Sequence, residues 1–247
     1  ASRQDITLGT RTVAGSPENW AYPPVYIVTA AASYVTGSNT LKAGVVNRQG
    51  PYRINGNVNA DLVQRYRNGV PDSVIVYNTP VRTKEEINWD LGVYLQDSWT
   101  IKRLTLNPGI RFEYFNASSN AMDVEPGRFV PFRSYAEQRD LPNWFDIAPR
   151  FGAVYDLTGD AKTAIRVGFN RYNVTYSNNA TAPYDPLVIR SDTRNWSDCD
   201  YLPGTSTCSG LTLATNRDNI AQDNEIGPVV TPFGLNRFAD PDKKRDY

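Results

Sequence analysis

A chain of 247 residues with 26 Lys plus Arg against 26 Asp plus Glu carries no net charge, which argues against a nucleic-acid partner held on a basic face. It contains no histidine, so Ser-His-Asp, Cys-His and His-zinc chemistry are all excluded. The length suits one large domain or two small ones, and 40% hydrophobic with 21% charged residues is neither a disordered composition nor that of a helical membrane protein.

The chain is rich in Asn (22), Tyr (15), Gly (17) and Pro (17). Asn, Gly and Pro furnish turns, and Tyr favours strands, so the composition leans to an all-β protein with long polar loops. No apolar run reaches the roughly 18 residues a membrane helix needs. A mean hydropathy of −0.49 still admits a membrane barrel, because only alternate strand residues meet lipid there.

In chain order, residues 25–36 and 39–48 read as strands around a Gly37-Ser38 turn. Residues 62–66 and 73–78 read as a shorter pair around Asn68-Gly69-Val70-Pro71. From Ile87 the period-2 signal is strong. Trp89, Leu91, Val93, Leu95 and Trp99 share one register, and Asn88, Asp90, Gly92, Gln96 and Ser98 share the other, with Tyr94. After a turn at 100–103, Leu104, Leu106, Ile110, Phe112 and Tyr114 alternate with Thr105, Asn107, Gly109, Arg111 and Glu113. A second hairpin follows: Ile147, Phe151, Ala153, Tyr155 and Leu157 against Arg150, Gly152 and Asp156. After a 158–161 turn come Thr163, Ile165, Val167 and Phe169 against Arg166, Gly168 and Asn170. That makes about eight strand candidates.

The connections are asymmetric. The turns at 100–103 and 158–161 are short, whereas residues 117–146 and the stretch from Thr175 onward are long. Compact soluble domains rarely carry structureless loops of that size, while outer-membrane barrels pair short periplasmic turns with long extracellular loops. Trp89, Trp99, Tyr114, Phe115, Tyr155 and Tyr172 lie near strand ends, where interfacial girdles form. Asp90, Arg111, Glu113, Arg150, Asp156 and Arg166 fall on the polar register. That register is the lumen wall of a barrel, or the solvated face of a soluble β-sandwich or propeller.

Leu91-Gly-Val-Tyr-Leu-Gln-Asp-Ser-Trp99 followed by Leu104-Thr-Leu-Asn-Pro-Gly-Ile-Arg-Phe-Glu-Tyr114 resembles the barrel of TonB-dependent outer-membrane receptors. Ala148-Pro-Arg-Phe-Gly-Ala-Val-Tyr-Asp-Leu157, with Gly159, Lys162-Thr163 and Arg166-Val-Gly168, resembles the next hairpin of that family. Tyr34-Val-Thr-Gly-Ser38 with Leu41-Lys-Ala-Gly44 resembles an upstream strand pair, with Asn39 where that pattern usually has His. Gln64 to Pro71, Val76 to Pro80 and Asp240 to Arg245 resemble the Oar-like subgroup, whose members carry an N-terminal carboxypeptidase-regulatory-like domain.

The resemblance implies an all-β chain: an antiparallel transmembrane β-barrel segment with short periplasmic turns and long extracellular loops. It implies a single partial barrel domain over 1–247, with strands mainly in 25–174, a long extracellular loop at 175–246 and no plug. The implied function is uptake of a scarce solute such as a siderophore or glycan, without enzymatic chemistry, in the bacterial outer membrane. The implied partners are outer-membrane lipid, an unknown small solute, and the TonB system through a missing N-terminal part. The alternatives are a non-transporting surface or adhesion barrel and a soluble carbohydrate-binding β-sandwich.

Site chemistry is sparse. Asp198 with Asp200, or Asp218, Asp223 and Glu225, could form an acid–base pair or calcium ligands, but no EF-hand spacing is present and solvated loop positions explain them. Four Asn-X-Ser/Thr sequons, at Asn116, Asn173, Asn179 and Asn195, read as chance in an Asn-rich chain. No metal ligand set, catalytic set, phosphate loop or cofactor fingerprint is found, and no cofactor is expected. Tyr184, Trp196 and Tyr201 in the long loop are the candidate ligand-binding residues, able to stack on a sugar or chelate. Cys199 and Cys208 are candidates for a local disulfide, which fits an oxidising compartment.

Overall fold

The computed structural model describes residues 1–233 other than 16, 175, 177–180, 182, 183, 186, 188, 211, 212, 214 and 232. The alternating stretches form strands, and they form longer ones than the pattern alone predicts. Fourteen strands are described. They are β1 (Ser2–Asp5), β2 (Thr10–Thr12), β3 (Glu18–Tyr22), β4 (Tyr26–Thr36), β5 (Asn39–Asn57), β6 (Leu62–Arg67), β7 (Val70–Tyr77), β8 (Val81–Ile101), β9 (Leu104–Ser119), β10 (Met122–Val124), β11 (Arg133–Tyr135), β12 (Asn143–Asp156), β13 (Ala164–Asn170) and β14 (Ser191–Asn195).

The wall is a seven-stranded sheet in the order β13-β12-β9-β8-β5-β3, with β4 also on β5. Every pair in it is antiparallel. One long strand, β5, receives β4 on its first half and β3 on its second. Pro23 and Pro24 lie between those two short strands, where a ladder donor is missing. Gly50 of β5 lets the Pro24 carbonyl approach, since a Cβ there would collide with it.

The connections at one end are tight. Gly37-Ser38 joins β4 to β5, and Lys102-Arg103 joins β8 to β9 with Lys102 in the left-handed region at φ 53°. The link from β12 to β13 is longer than expected, because pairing stops at Asp156 and resumes at Ala164. The Asp156 carboxylate accepts the N–H groups of Gly159 and Ala161 there, so that turn is closed by a side chain rather than by the ladder.

Hydrophobicity is arranged the opposite way to a soluble sheet. Trp89, Val93, Leu95, Trp99, Ile110, Phe112, Ile147, Phe151 and Phe169 are all exposed, with Leu95 at 47% and Phe169 at 65%. They stand opposite one another across the ladder as a continuous apolar face: Val45 with Val93, Val93 with Phe112, Phe112 with Ile147, Phe151 with Phe169. The reverse face carries Arg48, Asp90, Arg111, Glu113, Asp146 and Arg150. An apolar face of this extent turned outward is the arrangement of a lipid-facing wall. The chain is thus an antiparallel transmembrane β-barrel segment.

One residue resets the pattern. Ile87 pairs with Ala117 and Trp89 with Asn116, so Asn88 and Trp89 together oppose Asn116 as a bulge. Below it the odd-numbered residues of β8 face outward. Above it Val81, Thr83, Glu85 and Ile87 share the inner face with Phe115, Ala117 and Ser119, and all seven are buried. Phe115, expected in an interfacial girdle, is therefore buried, because Tyr114 takes the outward position.

The hairpin at 62–77 forms as its Asn68-Gly69 turn predicts, with φ values of 51° and 77°. It is not part of the wall. It belongs to a second sheet in the order β14-β7-β6-β1-β2, in which β1 and β6 run parallel. Residues 120–142 contain the β10–β11 hairpin rather than an open loop.

The lipid-facing assignment predicts a directional effect. Val93→Arg, near the middle of the outward face, should cost about 2–4 kcal/mol of assembly free energy, while Thr105→Arg on the inner register should be tolerated. Heat-modifiable migration of the outer-membrane band reads both variants.

Candidate functional site

Two regions hold polar chemistry: the concave inner face of the wall, and the cap formed by the second sheet and the chain after β13.

On the inner face, charges are matched in pairs toward the cap. Arg48 of β5 forms an ion pair with Asp90 of β8. Arg111 and Glu113 of β9 pair at 2.7 Å, and the Asn173 amide donates to the other Glu113 oxygen at 2.8 Å. Arg171 lies 4.0 Å from Asp146. Glycines make room for this layer. Gly92 clears the space that the Arg111 guanidinium occupies, and Gly44 clears the space under the Tyr94 ring. A Cβ at either position would displace those side chains.

After β13 the chain turns back across the inner face. Tyr176 packs on Trp144 and Phe115, with ring centroids 4.8 Å and 6.2 Å away, beside buried Ile87 and Ala117. Leu187 is buried with Val81, Met122 and Val124. The backbone N–H of Asn78 then donates to the Arg190 carbonyl at 3.0 Å, and its side-chain amide to that of Ile189 at 2.9 Å. Strand β14 completes the crossing by pairing with β7. The described residues among 171–195 thus lie between the β12–β13 edge and the cap sheet, over the inner face of the wall.

That crossing covers the Glu85 carboxyl and contributes a second buried one, Asp185, each residue being 2% exposed. Burial pushes Glu85 up to about 7, the Asp185 carboxyl adds to the shift, and the Thr181 hydroxyl and the Arg190 charge oppose it. Burial also raises Asp185, against the Leu187 N–H that its carboxylate accepts at 2.8 Å. Both residues lie above the Asn88 bulge, clear of the lipid-facing span. Glu85, between Lys84 and Glu86, belongs to none of the motifs that mark candidate site residues in the sequence. The signal was the Val81, Thr83, Glu85, Ile87 alternation, which places that carboxyl beside apolar neighbours.

The expected ligand-stacking aromatics are placed in packing positions. Trp196 is fully buried in a cluster with Leu62, Tyr66, Val74, Val76 and Ala221, and its ring meets Tyr66 edge-on at 5.3 Å. Tyr184 and Tyr201 are also buried, and the Tyr201 hydroxyl shares a hydrogen bond with Ser197. Cys199 and Cys208 form a disulfide with Cα atoms 5.8 Å apart. The neighbouring carboxylates are occupied by structural partners. Asp198 accepts the N–H groups of Arg217 and Asn219, Asp200 accepts from Ser209 and Asn224, and Asp223 pairs with Arg128. Glu225 is buried and raised by that burial. Among the described residues no three metal-ligating side chains converge. The Asp240 to Arg245 motif lies outside the described residues.

A family model described as "Outer membrane beta barrel domain" matches residues 5–246. No curated protein and no solved structure matches the chain.

The buried carboxyl makes cap stability depend on pH. Glu85 has a folded pKa near 7 against 4.5 for the free side chain, so the folded state holds the extra proton between those values. Stability is then full below about pH 4.5 and falls as pH rises to about 7. Glu85→Gln should flatten that slope. Fluorescence melting of both proteins at pH 5 and pH 8 checks it: the variant should lose less stability across the interval than the parent.

Proposed function

This chain belongs to the outer membrane beta barrel domain family, and from that premise we propose that it is a wall segment of a TonB-dependent receptor that takes up a scarce solute. Its place is the bacterial outer membrane. The observation that carries the uptake reading is the pairing of an outward apolar wall with an inner face of matched charges beneath a folded cap. Such an inner face is a polar path through the bilayer, and the cap stands where a solute arrives.

The motif residues support the finer assignment by their positions. Leu91 to Trp99 lies in the membrane-crossing half of β8, Leu104 to Tyr114 in that of β9, and Ala148 to Asp156 in β12. Energy coupling would come from the TonB system through an N-terminal part. Among the described residues, β4 pairs on one side with β5 and β13 on one side with β12. Free edges are not tolerated in hydrocarbon. The wall is therefore completed by further strands, and this chain is a partial barrel domain with its cap. The reading assigns it no enzymatic step.

One observation favours a second reading, a surface or adhesion barrel that does not transport. Tyr184, Trp196 and Tyr201 are spent on packing, and the disulfide closes the segment beside them, so the cap is a firm folded surface. The soluble sandwich is disfavoured by the exposed apolar register.

Disruption of the gene in the native source separates these readings. The uptake reading predicts lost growth on one limiting solute among chelated iron, cobalamin, glycans and peptides, with the same loss when TonB is inactivated. Unchanged growth on all of them, with no solute bound by the purified full-length protein, would overturn it.

A further inference from the structure

The charges on the inner face divide by depth. Toward the cap, Arg48, Arg111 and Arg171 are each matched by a carboxylate, from Asp90, Glu113 and Asp146. Toward the short turns the face carries Lys42, Arg150 and Arg166, together with Asp156, whose carboxylate is taken up by the turn N–H groups of Gly159 and Ala161. Among the described residues, none of these three cations has a carboxylate within ion-pair reach.

The register brings two of them into one row. Lys42 stands opposite Gln96, Gln96 opposite Gly109, Gly109 opposite Arg150, and Arg150 opposite Asn170. At about 4.8 Å per strand, Lys42 and Arg150 have backbones roughly 14 Å apart, a span their long side chains can reach across toward each other. The floor between and beside them is bare, because Gly109, Gly152 and Gly168 present no side chain on three adjacent strands. A groove of about 330 Å³ results. Its inward polar groups include no carboxylate and can all donate: the Lys42 ammonium, the Arg150 guanidinium, the amides of Gln96, Asn107 and Asn170, and the hydroxyls of Thr40 and Ser98. Asp97 also borders it, but on the outward register opposite Leu41. The Arg150 guanidinium is held over the Tyr172 ring at 5.0 Å, which orients it without neutralising it.

Unmatched cations in a concave wall flanked by hydrocarbon concentrate anions. A planar guanidinium and an ammonium separated by amide donors suit an oxyanion with several oxygen atoms. We propose that this groove binds the carboxylate or phosphate groups of the solute, so that the solute class is a small organic anion. The inference rests on the uptake reading for its biological setting, but the groove itself is tested by binding alone.

Purified full-length protein in detergent is titrated calorimetrically with citrate and, separately, with inorganic phosphate at low salt. The anion that binds identifies the source of the oxyanion. Lys42→Gln combined with Arg150→Gln should weaken binding by at least about tenfold, as expected for loss of charge-assisted hydrogen bonds. Lys42→Arg combined with Arg150→Lys should keep most of it. A readout on the unmodified protein guards against variants that fail to assemble: citrate should slow acylation of the Lys42 amine, followed by peptide mass. Absence of binding by both anions, equal binding by the Gln variant, or an unchanged acylation rate would overturn the proposal. Anion binding without solute uptake would instead refute the uptake reading and leave the groove standing. Uptake of a neutral or cationic solute without anion binding would do the reverse.

Discussion

A backbone amide left unpaired in hydrocarbon costs several kcal/mol, and this one constraint organises the wall. It explains why the membrane-crossing strands are antiparallel neighbours joined by tight turns, with their donors and acceptors satisfied within the sheet. The same hydrocarbon makes the outward side chains mostly apolar from β5 to β13, with Asn47 and Asp97 as polar exceptions on that register. The amide constraint also explains the placement of irregularity. The Pro23-Pro24 break lies where β5 is handed from β4 to β3, and the wide loops lie at the cap end. Pro51 in β5, Pro108 in β9 and Pro149 in β12 are prolines within wall strands, and at Pro108 the ladder opens. The β8–β9 bridges skip from Gln96 and Gly109 to Trp99 and Leu106 on either side of it.

The bulge at Asn88 is the second organising feature, because a one-residue insertion exchanges the two faces of a strand. β8 is 21 residues long, far more than the 9–11 a tilted crossing needs. Its lower part presents Trp89, Val93 and Leu95 to lipid. Its upper part turns Val81, Glu85 and Ile87 inward, where the returning chain covers them. A single strand thus serves a membrane wall and a water-side core, and the change of role falls at one residue. The three buried clusters all lie on the cap side of this change. The wall has no core of its own to fold around, and its stability rests on ladder pairing and the bilayer.

Most of the wall and one hairpin of the cap were legible in the sequence, and the rest of the cap and the wall strand β3 were not, for physical reasons. Period-2 alternation with aromatic and β-branched residues marked β8, β9, β12 and β13, and Asn68-Gly69 marked its hairpin. Strands β1, β2, β3, β10, β11 and β14 are each five residues or shorter, too short for an alternation to show, and distant partners hold β1 and β14. β1 pairs with β6 some 60 residues away in sequence, and β14 pairs with β7 across more than 110. The hairpin at 62–77 was recognised, but its sheet was not, because pairing to β1 and β14 leaves no trace in its own alternation. Loop aromatics looked available for stacking because burial by distant elements cannot be read locally: Trp196 is enclosed by residues of β6 and β7. The lumen ion pairs were partly visible, since Arg111 and Glu113 share a register. The match of Arg48 to Asp90 depended on the alignment of β5 with β8.

The central claim is that the odd register of β8 faces lipid below Asn88 and turns inward above it. Nitroxide spin labels on single cysteines at 91, 93 and 95, at 96 and 98, and at 83 and 87 test it directly in bilayers. Accessibility to oxygen and to a water-soluble nickel chelate is then compared at each site. The account predicts that 91, 93 and 95 favour oxygen, 96 and 98 favour the chelate, and 83 and 87 are shielded from both. Chelate access at 93 and 95, or oxygen preference continuing through 87 and 83 without a change of phase, would contradict it.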